Sequence, residues 1–130
     1  MAPTVTHFEI YAENPAELAD FYRSLFGWRI ERAPGTDYFM IETAPDHATA
    51  IRGGLAYRPI PEPRSWVHYV GVTSLDETVE RIENLGGKVL RRKSAVPKTA
   101  WYAVVSDPEG NIFAIWQRDP HAFPPPEPDV

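Results

Sequence analysis

Two helix-start signals sixty residues apart constrain this chain more than any other feature. The first is Asn14-Pro15-Ala16-Glu17 and the second Ser74-Leu75-Asp76-Glu77. In each, a small polar residue stands where an N-cap accepts from the first turn, and a Glu three positions on can reach back to it. Pro15 suits the first helical position. A strand pattern precedes each signal and three short strand patterns follow it. The order βαβββ therefore occurs twice in 130 residues.

In the first copy Thr6–Tyr11 alternates as a strand. Leu18, Phe21, Tyr22 and Leu25 fall at i, i+3, i+4 and i+7, which predicts the buried face of the helix, and Gly27 ends it. Strands are predicted at Trp28–Ala33, Tyr38–Glu42 and about Ile51–Tyr57. The second copy opens with Trp66–Val72. Leu75, Val79, Ile82 and Leu85 form its apolar helix face, and Gly86-Gly87 stops that helix. Strands follow at Lys88–Ser94, Trp101–Ser106 and Ile112–Gln117, with turn chemistry in Asp107-Pro108-Glu109-Gly110. The expected division is a first module over 1–58, a Pro-rich linker over 59–65, a second module over 66–118 and an extended or disordered Pro-rich tail over 119–130.

Composition narrows the classes. Thirteen Lys and Arg against eighteen Asp and Glu give a net charge of −5. That opposes phosphate neutralisation by a nucleic-acid binder and attraction to an anionic membrane. Cysteine is absent, which removes disulfides, zinc-thiolate sites and a cysteine nucleophile. No apolar run is long enough to span a bilayer, and no signal-peptide pattern opens the chain. The expectation is a soluble cytoplasmic protein.

The segments HFEIYAENPAELADFYRSLFGW (7–28), WVHYVGV (66–72), LGGKV (85–89) and DPEGNIFAIWQ (107–117) resemble the vicinal oxygen chelate superfamily. That superfamily includes glyoxalase I, extradiol dioxygenases and bleomycin-resistance proteins. The resemblance implies an α+β fold of two βαβββ modules, with curved mixed sheets around a cup-shaped pocket, and a homodimer. Metal-dependent members take one ligand from each of four strands. By resemblance His7 and His68 occupy two of these positions. The acidic ligand of the last strand falls on Ala114, and the fourth strand, AIRGGLAY (50–57), has no Asp, Glu or His. The four-ligand metal site is therefore incomplete.

Strand alternation puts His7, Glu9 and Tyr11 on one face. His7, Glu9 and His68 would resemble a two-His-one-carboxylate site if they converged. The alternative is that the histidines hydrogen-bond in a metal-free pocket, with Glu9 paired to an arginine. A four-residue turn at 107–110 pairs Trp101 with Trp116 and Ala103 with Ala114. Trp101, Ala103, Val105, Ile112, Ala114 and Trp116 would then share the pocket face, while Tyr102, Val104, Phe113 and Ile115 lie against the helices. The expected pocket lining is His7, Glu9, Tyr11, Trp66, His68, Trp101, Ala114 and Trp116. The third strand adds either Tyr38, Met40 and Glu42 or Phe39 and Ile41. His47 and His121 are read as surface residues. Arg91-Arg92-Lys93 is read as charge on an edge strand.

Three functions compete. The first is binding of a small, partly apolar molecule, cationic in keeping with the charge, with no metal or other cofactor. The second is a lyase, isomerase or dioxygenase using a divalent metal on His7 and His68 with a rebuilt third ligand. The third is metal-independent catalysis with His68 or Glu9 as the acid-base group.

Overall fold

The computed structural model describes residues 3–61 and 65–123. Ten elements follow in chain order: β1 (Thr4–Ala12), α1 (Pro15–Phe26), β2 (Arg29–Arg32), β3 (Phe39–Glu42), β4 (Arg52–Tyr57), β5 (Trp66–Gly71), α2 (Leu75–Asn84), β6 (Lys88–Val96), β7 (Ala100–Ser106) and β8 (Ile112–Arg118). This is the α+β class with βαβββ twice. The chain divides into two compact units between Tyr69 and Val70, with Pro3 and Thr4 belonging to the later unit. Part of the expected linker, residues 62–64, lies outside the described residues. Among the described residues no helix is long and apolar enough to cross a membrane.

In the first unit the strand order is β2-β3-β4-β1, with β5 beside β1. β1 and β4 are parallel, with Phe8 opposite Gly53 and Glu9 opposite Gly54. The Asn14 side chain accepts from the Glu17 N–H at 3.2 Å, and Gly27 closes α1 in the left-handed region (φ 70°), its N–H donating to Arg23 O at 2.9 Å. The core joins Phe8, Ile10 and Ala12 of β1 to Ile30, Phe39, Ile41, Leu55 and Ala19, with Leu18, Tyr22 and Trp28 packed against them.

The expected helix face is thereby corrected. Phe21 and Leu25 are 55% and 57% exposed, while Ala19 is fully buried. The helix instead packs through Pro15, Leu18, Ala19 and Tyr22, another i, i+3, i+4, i+7 set. A small residue at the centre of that stripe lets the helix approach the sheet closely.

In the second unit the order is β8-β7-β6, with the end of β5 beside β8. Val72 donates to Trp116 O at 2.9 Å. Ser74 caps α2 by accepting from Glu77, and Gln117 Oε1 accepts the Leu75 N–H at 2.8 Å. Leu75, Ala103, Val105 and Ile115 form the core, joined by Val70, Val72, Val79, Ile82, Val89, Trp101 and Phe113. Leu85, expected on the buried face, is exposed. It is the C-cap residue, where the helix is already ending. The basic run 91–93 does lie on β6, the outermost strand of this order.

The β7–β8 register is also corrected. Ser106 pairs with Ile112, Tyr102 with Trp116 and Val104 with Ala114. The connection has five residues rather than four. Asp107 Oδ1 accepts from the N–H groups of Glu109 and Asn111, and Oδ2 from the Asn111 amide, each at 2.9 Å. Those donors, the Asn111 side chain first, hold the Asp107 carboxyl below its ordinary pKa. The one-residue change exchanges the faces of β7 relative to β8. Trp101, Ala103 and Val105 join Phe113 and Ile115 on the helix side, whereas Ala114 and Trp116 share the other face with Tyr102 and Val104.

Residues 119–123, expected to belong to the extended tail, are tied back to the second unit. Asp119 accepts from the Trp101 indole at 3.0 Å and from the His121 N–H at 2.8 Å. Lys98 donates to Ala122 O at 2.9 Å, and Ala122 is fully buried. Residues 124–130 lie outside the described residues.

Candidate functional site

β1 has a core face and a polar face. Phe8, Ile10 and Ala12 enter the core, so strand alternation sends His7, Glu9 and Tyr11 to the opposite side. Glu9 is only 8% exposed, which is rare for a carboxylate and needs compensation. Its Oε1 accepts from the Tyr38 hydroxyl at 3.1 Å and stands 3.6 Å from His7 Nε2. Its Oε2 is buried and has no hydrogen-bond partner among the described residues.

Gly54 makes this arrangement possible. It sits opposite Glu9 on β4, and a Cβ there would collide with Glu9 Oε2 and with the Tyr38 hydroxyl. The fourth strand, which has no Asp, Glu or His, leaves the space beside Gly54 to Tyr38 and Glu9. Burial, then the Glu9 charge, pushes the Tyr38 phenol well above its ordinary pKa. Tyr38 therefore stays protonated as a donor.

The other side of His7 is equally ordered. Thr6 Oγ1 lies 2.8 Å from His7 Nδ1 and donates to the Tyr69 carbonyl at 3.3 Å. The imidazole stacks on the Tyr69 ring, centroids 4.7 Å apart. Tyr69 and Tyr11 share a hydroxyl–hydroxyl hydrogen bond of 2.5 Å. One carboxylate, one imidazole and three phenols thus gather on this side of β1 in the first unit.

His7, Glu9 and Tyr11 share a face, as strand alternation predicts, and Tyr38, the residue before β3, joins them through Glu9. Phe39 and Ile41 are core residues. His68 and Trp66 do not join them. Tyr69 occupies the His7 side of β5, so alternation turns Trp66 and His68 away. The Trp66 indole stacks on Phe8 at 4.9 Å and donates to the Tyr22 hydroxyl at 3.4 Å, on the side of α1. Trp101 is likewise on the helix side of its own unit, with Ala114 and Trp116 on the reverse face. Tyr69, Thr6 and Gly54 are the participants that the sequence reading missed. The spacing of the two caps held the signal for Tyr69. Asn14 and Ser74 differ by sixty, which aligns His7 with Val67 and His68 with Phe8, a core position.

This donor set does not fit the superfamily's metal centre. Among the described residues no three of His, Cys, Asp and Glu lie close enough to hold a metal ion. His7 and Glu9 alone supply two donors, and one Glu9 oxygen already serves Tyr38. The set offers a buried carboxylate oxygen as a hydrogen-bond acceptor in an aromatic setting.

Comparison with known proteins agrees with the geometry of the fold. "Putative glyoxylase CFP32" of Mycobacterium tuberculosis is 28% identical over 116 residues, covering 86% of this chain and 43% of that protein. The anthracycline biosynthesis protein DnrV of Streptomyces peucetius is 27% identical over 125 residues, covering 85% and 46%. The chain thus spans less than half the length of the curated relatives it matches. A glyoxalase/bleomycin resistance protein/dioxygenase superfamily member from Vibrio splendidus superposes with a TM-score of 0.58 at 14% identity, over 91% of this chain and all of that one. Methylmalonyl-CoA epimerase from Mycobacterium tuberculosis gives 0.56 at 13% identity, over 88% and 85%. The glyoxalase-like domain family matches residues 7–116, and this chain belongs to it, within the vicinal oxygen chelate fold.

Proposed function

We propose that this chain is a small-molecule-binding glyoxalase-like module that works without the four-ligand metal centre, and that Glu9 is its polar anchor. One observation carries the reading: a carboxylate this deeply buried has a single neutral donor, Tyr38, on one oxygen and none among the described residues on the other. Leaving such a group half-satisfied costs stability, which is common where the group serves a ligand. The surrounding phenols and imidazole suit a flat, partly apolar partner bearing a donor or positive charge. A relative named for anthracycline biosynthesis is in keeping with this class. The module is a homodimer in this reading, supported by Phe21, Leu25 and Phe26, all more than half exposed on α1.

The test combines elemental analysis with a thermal-shift and calorimetric screen of one- to three-ring aromatic amines and their neutral alcohol counterparts. Saturable binding at one ligand per chain, weakened about tenfold or more by Glu9→Gln, is expected, with no stoichiometric metal after loading with Zn, Ni, Mn or Fe. About one metal per chain, lost in His7→Ala, would sink this reading and restore metal-dependent lyase, isomerase or dioxygenase chemistry. Sedimentation velocity decides the dimer.

A further inference from the structure

The sixty-residue period supplies an internal comparison away from Glu9. Beside α1 a cleft of about 390 Å³ includes Asn14, Glu17, Leu18 and Phe21 in its lining. Beside α2 a cleft of about 400 Å³ includes their counterparts Ser74, Glu77, Thr78 and Arg81. The duplicated fold therefore leaves the same opening twice, and the sequence has made the two unlike. The wall of the α2 cleft is aliphatic and aromatic: Val70 of β5 and Val72 just after it, Phe113 and Ile115 of β8, Ile82 of α2 and its C-cap Leu85.

Arg81 stands where the first copy has Phe21. In the α1 cleft the cation is Arg58, and it already lies 3.6 Å from Glu13. The Arg81 side chain has no hydrogen bond or ion pair among the described residues, and it is exposed at the mouth of the cleft. Two of the other polar lining groups are engaged, and Thr73 adds an exposed neutral hydroxyl. Ser74 caps the helix, and Thr78 Oγ1 donates to Ser74 O at 2.7 Å. Glu77, one turn before Arg81, is the single acidic lining residue, and no charged group enters from the β5 or β8 wall.

We propose that the α2 cleft is a second binding site, for an aliphatic carboxylate of medium length. The head group pairs with the Arg81 guanidinium, whose planar fork matches a carboxylate. The chain lies along Val70, Val72, Ile82, Phe113 and Ile115. The volume is that of small-molecule sites, and an apolar wall with a few placed polar groups is their usual composition. Glu77 repels the head group and tempers affinity, so its charge and that of Arg81 act with opposite sign. This site is independent of the reading given to Glu9.

The test titrates the full chain with decanoate, decanol and decylammonium, below their aggregation concentrations, by calorimetry, with methyl NMR to locate binding. One decanoate per chain is expected, with shifts at the Val72, Ile82 and Ile115 methyls. Arg81→Gln should weaken decanoate about tenfold, Glu77→Gln should tighten it, and decanol should bind more weakly. Arg81 is exposed, so circular dichroism should report an unchanged fold. The proposal is overturned by any of four outcomes: no saturable decanoate binding, equal affinity for decanol, shifts confined to Ile41 and Leu55 of the first unit, or decylammonium preferred and strengthened by Arg81→Gln.

Discussion

Glu9 and Gly54 face each other across the parallel pair β1 and β4, and the missing side chain of Gly54 is the space into which Glu9 Oε2 and the Tyr38 hydroxyl fit. A buried carboxylate and a bare backbone position are thus one device. Gly54→Ala places a methyl where both oxygens lie. We expect a loss of about 1–3 kcal/mol in urea-induced unfolding, the usual cost of overpacking. The Tyr38–Glu9 hydrogen bond should go with it. Binding of an aromatic amine should fall in the same variant, whereas an unchanged stability and affinity would show that Glu9 has room elsewhere.

Tyr38 gives this site an alkaline signature. Its phenol is held above the ordinary value of 10.0, by burial first and by Glu9 second. The folded state then keeps its proton at a pH where the unfolded chain has released it. The stabilisation is complete below about pH 10 and is lost as pH rises beyond that value, with a slope approaching about 1.4 kcal/mol per pH unit. Tyr38→Phe should flatten the melting temperature against pH above 10 relative to the parent chain. Ultraviolet titration at 295 nm should show as many phenols ionising before unfolding as in the parent, and one fewer released on unfolding. Parallel pH profiles for the two proteins would refute the assignment.

The element order and both caps were legible because capping is local: Asn14 and Ser74 each accept from an N–H three residues on. What stayed hidden was which side of each element faces inward. α1 carries apolar residues at 15, 16, 18, 19, 21, 22, 25 and 26, an arc too wide to choose between the Phe21–Leu25 stripe and the Ala19 stripe. The faces of β7 depended on one residue of loop length, and so on Asn111 joining the Asp107 turn. Residue type alone pairs His68 with His7. The cap spacing placed it one position off, on the side of Phe8. Tyr69 carries no motif of its own; the sixty-residue cap spacing aligns it with Glu9, and ring stacking then sets it against His7.

The packing face of α1 makes a contrast that stability measurements can read. Phe21 and Leu25 are mostly exposed, so Phe21→Ser and Leu25→Ser should each change unfolding free energy by no more than about 0.5 kcal/mol in the monomer at high dilution. Ala19 is fully buried against the sheet. Ala19→Leu should therefore cost about 1–3 kcal/mol. At working concentration the two serine variants should also shift sedimentation toward the monomer. A large monomer cost for Phe21→Ser would mean that the helix packs through the other stripe.

Asp119 ties the chain after β8 back to β7. Its carboxyl is held below its ordinary pKa by the His121 N–H first and the Trp101 indole second. A depressed carboxyl contributes stability that is present above the unfolded pKa and disappears as pH falls through the folded one. Below about pH 4 the 119–123 segment should release. Trp101 would lose its acceptor while the ring keeps Lys93 over it, Nζ 4.6 Å from the centroid. The emission of Trp101, isolated by difference against Trp101→Phe, should change in that acid window. Asp119→Asn should remove the pH dependence, and its neutral-pH spectrum should already show part of the change. Proteolysis near Ala122 should accelerate in the variant, because burial of that residue depends on Asp119 holding the turn. An acid transition that persists unaltered in Asp119→Asn would assign it to another carboxylate, with Asp107 next in line.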